Sequence, residues 1–479
     1  MMKHRLYFAV IAGIICLGAL LQAASAGETD TTANPVSSGL NALGLHFSGF
    51  SSSEFGQLEW PHMLSDSCAH QDVMRTYVNF GFNKQLGDRF QIQAAIEGKL
   101  YYNTFPQNEK GGVEGFFLPS MYYAFYFDRA FSNFYLGDAE SPYLQFTLGY
   151  FPFKYNPDAR DLGEYLYRSG CYPAVLFNQF DFALARLLGL KISSDLGPSL
   201  FHTHLDLILN ASTDMPPFFD LNLGGIATFD MAKIFNLGVG AMYQSLVPAN
   251  DGLTSPHTET IGTGLASNGN AYDVVLDSNG GVASAKYYTA AGLKLMGRFS
   301  FDPKRFFGSP DHFLFIGNEG LKLFGEAAIL GVQSYPSSQD NPYGYDTLIH
   351  KVPIMLGINL PSFDFGSFSI FDVLSLQFEY YDCKYPNNYQ YKDQSLWQPV
   401  PVPQGVAYTT EPFSNYAHDD NLKWAVYAKK TFKNGLFAVA QVACDHIRNE
   451  SPVNNFYDSE EVLRTKLSWW MVLKLGLLF

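Results

Sequence analysis

His202, His204 and Asp206 stand at i, i+2 and i+4 in the segment FHTHLDLILN, two imidazoles and a carboxylate that can ligate a transition metal in the right geometry. On an extended strand they share one face at intervals of roughly 7 Å, too wide for all three to reach one ion easily. The array therefore reads as polar wall, and neither a metal nor another cofactor is expected. A second concentration of charge lies at 154–180, KYNPDARDLGEYLYRSGCYPAVLFNQF. There Asp158, Arg160, Asp161, Glu164 and Arg168 mix both signs among Tyr165, Tyr167 and Tyr172. Such a stretch is either an ordinary surface loop with solvated charges or a functional loop. The chain has no G-x-S-x-G motif and no convincing histidine–serine placement on apolar-face positions, so no enzyme is expected. Of the cysteines, Cys68 and Cys171 fall in predicted loops on one side and can pair. A Cys383–Cys444 bond needs a bulge, because their predicted side chains point to opposite faces.

The elements that hold these residues begin with a leader. Lys3, His4 and Arg5 precede an apolar run from Leu6 to Leu21 and an Ala24-Ser25-Ala26 cleavage site, so 1–26 reads as a cleaved signal peptide. Cys16 follows Ile15 rather than a small residue, which argues against lipidation. Formal charge is −14, or −16 without Lys3 and Arg5, which excludes nucleic acid as an expected partner. The chain is 47% hydrophobic and 16% aromatic, yet no segment after the leader offers ~20 consecutive apolar residues for a helical span.

The apolar residues alternate instead. From Phe90 to Tyr102 one face carries Phe90, Ile92, Ala94, Ile96, Gly98 and Leu100, and the other Gln91, Gln93, Ala95, Glu97 and Lys99. One face suits lipid and the other water. Similar runs predict strands at 42–50, 73–82, 89–102, 117–128, 143–153, 181–193, 199–210, 218–230, 234–245, 286–301, 320–333, 350–360, 373–383, 422–432, 436–448 and 466–479. This is an even set of segments, each long enough to cross a thin apolar band. Arg186 interrupts the apolar face of its strand. Connections alternate between brief and long, apart from 211–217, 129–142, 302–319 and 361–372. The fold class expected is all-β: a single transmembrane antiparallel up-and-down barrel over 42–479, preceded by a short periplasmic segment at 27–41. Its long loops are extracellular and its short turns periplasmic.

The last strand carries Trp469, Met471, Leu473, Leu475, Leu477 and Phe479 on one face and Lys474 on the other. A terminal Phe after alternating apolar residues resembles the signal read by the outer-membrane barrel-assembly machinery. Leucines replace the aromatics usual just before its end. Taken whole, the chain resembles bacterial outer-membrane porins. The resemblance implies outer-membrane lipid as surroundings, a homotrimer as the assembly to test, and passive passage of small hydrophilic solutes. In trimeric general porins a long loop after the fifth strand folds into the lumen, its carboxylates facing basic wall residues. By that likeness Asp158, Arg160, Asp161, Glu164 and Arg168 become the expected constriction. The candidate wall charges are Glu97, Lys99, Lys191, Lys294, Arg298, Glu326, Lys351, Glu379, Lys423 and Lys429. The alternative is a non-conducting scaffold or adhesin acting through its long outer loops. The loop 384–421, with Tyr385, Tyr389, Tyr391 and Trp397, could stack on sugar rings or simply pack on its neighbours.

Overall fold

The computed structural model of the chain describes residues 45–59, 71–101, 122–138, 141–168, 185–198, 200–213, 219–247, 291–307, 315–332, 347–363, 369–382, 422–432, 434–444 and 469–479. Small pieces of the long loops are described at 249, 258–260, 271–276, 278, 282–287, 391–392, 396–397, 448–450 and 457–461. The leader, the segment 27–41, Cys68, Cys171 and Cys383 lie outside the described residues.

Sixteen antiparallel strands close into one barrel, each paired with its neighbours in chain order. They are β1 (Leu45–Glu59), β2 (Gln71–Leu86), β3 (Phe90–Tyr101), β4 (Tyr122–Gly137), β5 (Pro142–Phe153), β6 (Ala185–Leu196), β7 (Phe201–Ala211) and β8 (Leu221–Met231). There follow β9 (Phe235–Val247), β10 (Gly292–Phe301), β11 (Leu323–Ile329), β12 (Ile354–Asn359), β13 (Val373–Tyr380), β14 (Leu422–Thr431), β15 (Leu436–Cys444) and β16 (Trp469–Leu478). Each falls on a segment that alternation predicts, but several ends move. β1 extends through Ser51–Ser53, where no apolar alternation exists, because β2 on one side and β16 on the other supply its hydrogen bonds. β4 continues to Gly137 across a bulge at Asp128, which shortens the expected 129–142 turn to 138–141. Residues 286–287 belong to a small separate sheet in the loop before β10, not to the barrel.

The outer face is apolar because closure leaves only side chains to meet the surroundings. Phe125 is 74% exposed and Leu148 60%, and Phe80, Leu207, Val239, Leu356, Phe378, Met471, Leu473 and Leu475 are exposed with them. At about 25 cal/mol per Å², so much bare apolar surface would be strongly unfavourable in water, and it suits hydrocarbon. Arg186, the interruption noted on β6, binds Asp128 on β4 through Nε at 3.1 Å and Nη2 at 2.9 Å. Arg129 binds the other carboxylate oxygen at 2.9 Å.

Closure occurs at β16. Phe479 exchanges backbone hydrogen bonds with Gly49 at 2.8 and 3.0 Å, and its ring lies 5.5 Å from that of Phe80. Cys444, on β15, accepts the Trp424 backbone N–H at 3.1 Å.

Candidate functional site

Inside the barrel the alternation places a cross-strand row, one residue per strand from β6 to β14. It runs Asp195, His204, Thr228, Gly238, Arg298, Glu326, Met355, Glu379, Lys423. Glu97, Lys99, Lys294, Arg298, Glu326, Glu379 and Lys423 are all buried, inward-facing members of their strands. Lys351 is buried too, but it sits in a 3-10 turn (Leu348–Lys351) before β12 rather than on the strand. The β12 ladder begins at Ile354, while the Pro353 and Lys351 carbonyls still accept the Ala328 and Leu330 N–H groups at 3.2 and 2.9 Å.

The described part of the loop after β5, residues 154–168, lies within the lumen and is fastened to the far wall. Glu326 on β11 is the anchor. It accepts the Tyr155 hydroxyl at 2.6 Å, the Asn156 side-chain amide at 2.8 Å, and the backbone N–H groups of Glu164 and Tyr165 at 3.0 and 2.9 Å. Gly163 and Glu164 both adopt left-handed backbone, φ 94° and 63°, which turns successive N–H groups toward one anion. Gln377 on β13 accepts the Asp161 and Leu162 N–H groups at 3.1 and 3.0 Å. Gln441 on β15 donates to Asp161 at 2.7 Å, and the Tyr165 hydroxyl donates to Glu379 at 2.8 Å. Between these polar ties Leu162, Tyr165 and Leu166 join Ile226, Met242, Met296, Phe324 and Met355 in a buried apolar cluster.

Among the charges expected at a constriction, Asp158, Asp161, Glu164 and Arg168 are buried, and Arg160 is partly exposed. Asp158 follows the expected pattern of acid on the loop against base on the wall side, pairing with Lys322 at 3.2 Å. Arg168 instead donates to the Asp161 carbonyl at 2.6 Å, and the Arg160 guanidinium lies 5.9 Å over the Tyr427 ring. At Glu326 and Glu379 the pattern is reversed, the wall contributing the acid and the loop the donors. Burial, reinforced by Glu326, pushes the Glu164 carboxyl up to about 8, and burial pulls the Lys154 ammonium down to about 8. Burial and then Glu326 likewise raise the Tyr155 hydroxyl. Composition singled out the charged residues but missed Tyr155, Asn156, Gln377 and Gln441. The last two were readable as inward positions on predicted strands.

The opposite sector, from β16 through β1 to β4, has a different lining. Glu54 binds Arg75 at 3.0 Å and Lys474 at 2.8 Å, while Glu97 meets Lys99 at 3.6 Å and accepts Asn79 at 3.3 Å and the Tyr126 hydroxyl. Lys99 and Lys474 both lie over the Tyr77 ring, at 5.4 and 5.3 Å. Of these only Glu97, Lys99 and Lys474 stood out in the sequence.

On β7, His204 is held by Asp195 at 2.8 Å on one ring nitrogen and Asp206 at 3.2 Å on the other, and His202 meets Asp195 at 3.3 Å. A carboxylate at each nitrogen suits the doubly protonated ring. No described group of three or more such residues has metal-holding geometry.

A closed barrel of sixteen strands in chain order, polar within and apolar without, settles the architecture. The chain folds as a porin-like β-barrel. No protein-family model matches its sequence, and no curated protein sequence does. Among solved structures it is similar to a mutant of Rh. blastica porin, at 7% identity and a TM-score of 0.39, over 91% of this chain and 100% of that one. It is also similar to the high-pH structure of Pseudomonas putida OprB, at 9% identity and a TM-score of 0.44, over 93% and 96%. The assignment of the porin-like barrel rests on this chain's own strand order and faces.

Proposed function

We propose that this porin-like barrel is an outer-membrane channel for passive diffusion of small hydrophilic solutes, narrowed by loop 154–168. The observation that carries the reading is the loop itself, drawn inward after β5 and tied to β11, β13 and β15. A loop fastened across a water-filled barrel sets the size of what passes. In this reading Asp158, Arg160, Asp161, Glu164 and Arg168 hold and edge the constriction. The solute path follows the polar sector from β16 to β4, away from the apolar cluster under the loop. Cleavage after Ala26, delivery by the barrel-assembly machinery and assembly as a homotrimer in lipid belong to the same proposal.

The experiment is conductance of the purified, folded protein in planar bilayers, with sugar flux into liposomes alongside. Stepwise conductance and flux that falls with solute size are expected. Failure to conduct under any salt or voltage would leave the scaffold or adhesin reading, acting through the outer loops.

A further inference from the structure

Arg298 is a buried cation among carboxylates that are already occupied. It is 6% exposed, and its guanidinium donates to two neutral oxygens, Asn236 at 2.8 Å and Thr228 at 3.2 Å. Among the described residues its Nε has no hydrogen-bond partner and no carboxylate lies within ion-pair distance; Glu164, the carboxylate that acts on it most at longer range, accepts the Asn156 backbone N–H. Its row neighbour Glu326 is turned to the loop, where four donors hold it. Asp206 binds His204, Ser193 and Lys191, and Asp195 binds the two histidines. Asp158 belongs to Lys322.

The arrangement is built for the side chain to lie this way. A Cβ at Gly238 would come within 2.7 Å of both Cγ and Nε of Arg298, so the glycine opens the wall for the arginine to cross β9 toward Thr228. Arg298 lines a cavity of about 320 Å³ with Lys154, His202 and His204 and with the carboxylates Asp195, Asp206 and Asp230, the first two of which the histidines engage. A second cavity of about 380 Å³ shares Pro157 and Asn236 and holds Arg160, whose Nε also has no hydrogen-bond partner among the described residues.

A desolvated guanidinium beside open volume, bonded only to neutral oxygens and edged by Lys154 and His202, is an arrangement that binds oxyanions, because its planar fork matches a carboxylate or phosphate. We propose that Arg298 is the anchor of a lumen subsite for a small solute bearing a carboxylate or phosphate group. The subsite lies beside the loop, off the β16–β4 sector, and rests on the channel reading only for the solute's entry to the lumen; binding itself can be measured without conduction.

The test is equilibrium binding of labelled gluconate and of inorganic phosphate to the folded protein in detergent at low salt, with glucose as the uncharged counterpart of gluconate. Saturable binding of at least one anion, not shared by glucose, is expected. Arg298→Gln should weaken it about tenfold or more, and Gly238→Ala should weaken it by displacing the guanidinium. Arg89→Gln, on the exposed β2–β3 turn, should leave it unchanged. Which anion binds decides between the carboxylate and phosphate sources. Absence of saturable binding by the folded wild type overturns the proposal, as does an affinity that Arg298→Gln leaves within about twofold. Folding of each variant is checked by its mobility on an unheated gel. Anion binding by a barrel that fails to conduct would sink the channel and leave the subsite standing.

Discussion

At the scale of single residues, the anchor Glu326 shows how a buried carboxylate can be tolerated inside the barrel. Burial of a lone carboxylate is strongly unfavourable, and four donors offset it. In Glu326→Gln the amide –NH2 must face two of those donors, whichever way it is turned. Each buried group left unsatisfied costs roughly 1–3 kcal/mol, so the loop should detach, seen as larger and noisier single-channel conductance. The pH dependence follows from Glu164 and Lys154, which lie near Asp158, Arg160, Arg168 and Glu326. Glu164 titrates at about 8 in the folded loop against an ordinary 4.5, so the loop's hold weakens as pH rises between them. Lys154 titrates at about 8 against 10.5, so the hold recovers from about 8 upward. The loop should be loosest near pH 8, with current noise greatest there, and Glu164→Gln should abolish the fall on the acid side. A noise profile with no maximum in wild type would refute this account. The charges of 154–168 were legible from composition. Their partners were not, because Glu326 and Tyr155 are 171 positions apart and only closure of the barrel brings them together.

At the scale of elements, alternation located all sixteen strands because lipid outside and water inside impose opposite chemistry on successive residues. Strand ends obey pairing instead, and pairing leaves no periodic trace. β1 illustrates this, since Ser51, Ser52 and Ser53 carry no apolar rhythm but are paired on both sides. The seam it forms with β16 depends on close approach at Gly49. A Cβ there would stand 2.3 Å from the Asn79 carbonyl oxygen and 2.7 Å from Phe479 Cε2. Gly49→Val is therefore expected to destabilise closure by about 1–3 kcal/mol, the usual cost of overpacking. A lowered urea midpoint, with less folded barrel on unheated gels, would record it. An unchanged midpoint would mean that the seam relaxes without loss.

For the whole molecule, two structures with different supports share one chain. The barrel is closed by backbone hydrogen bonds between strands around its entire circumference, none of them supplied by the loop. The loop depends on side chains of β11, β13 and β15 and on the apolar cluster around Met242, Met296 and Met355. The two should therefore separate under mutation. Removal of residues 157–165, with the ends rejoined by a short glycine linker, should leave the unfolding midpoint nearly unchanged. Conductance should rise roughly twofold or more as water enters the space the loop held. Because the loop is tied along the β5–β15 side, the gain should come there, and Lys99→Gln in the polar sector should alter ion selectivity in both backgrounds. If truncation instead collapses the barrel, the loop is a structural core rather than a constriction. If conductance is unchanged, the path already runs wholly along the β16–β4 wall, and the loop does not set its width.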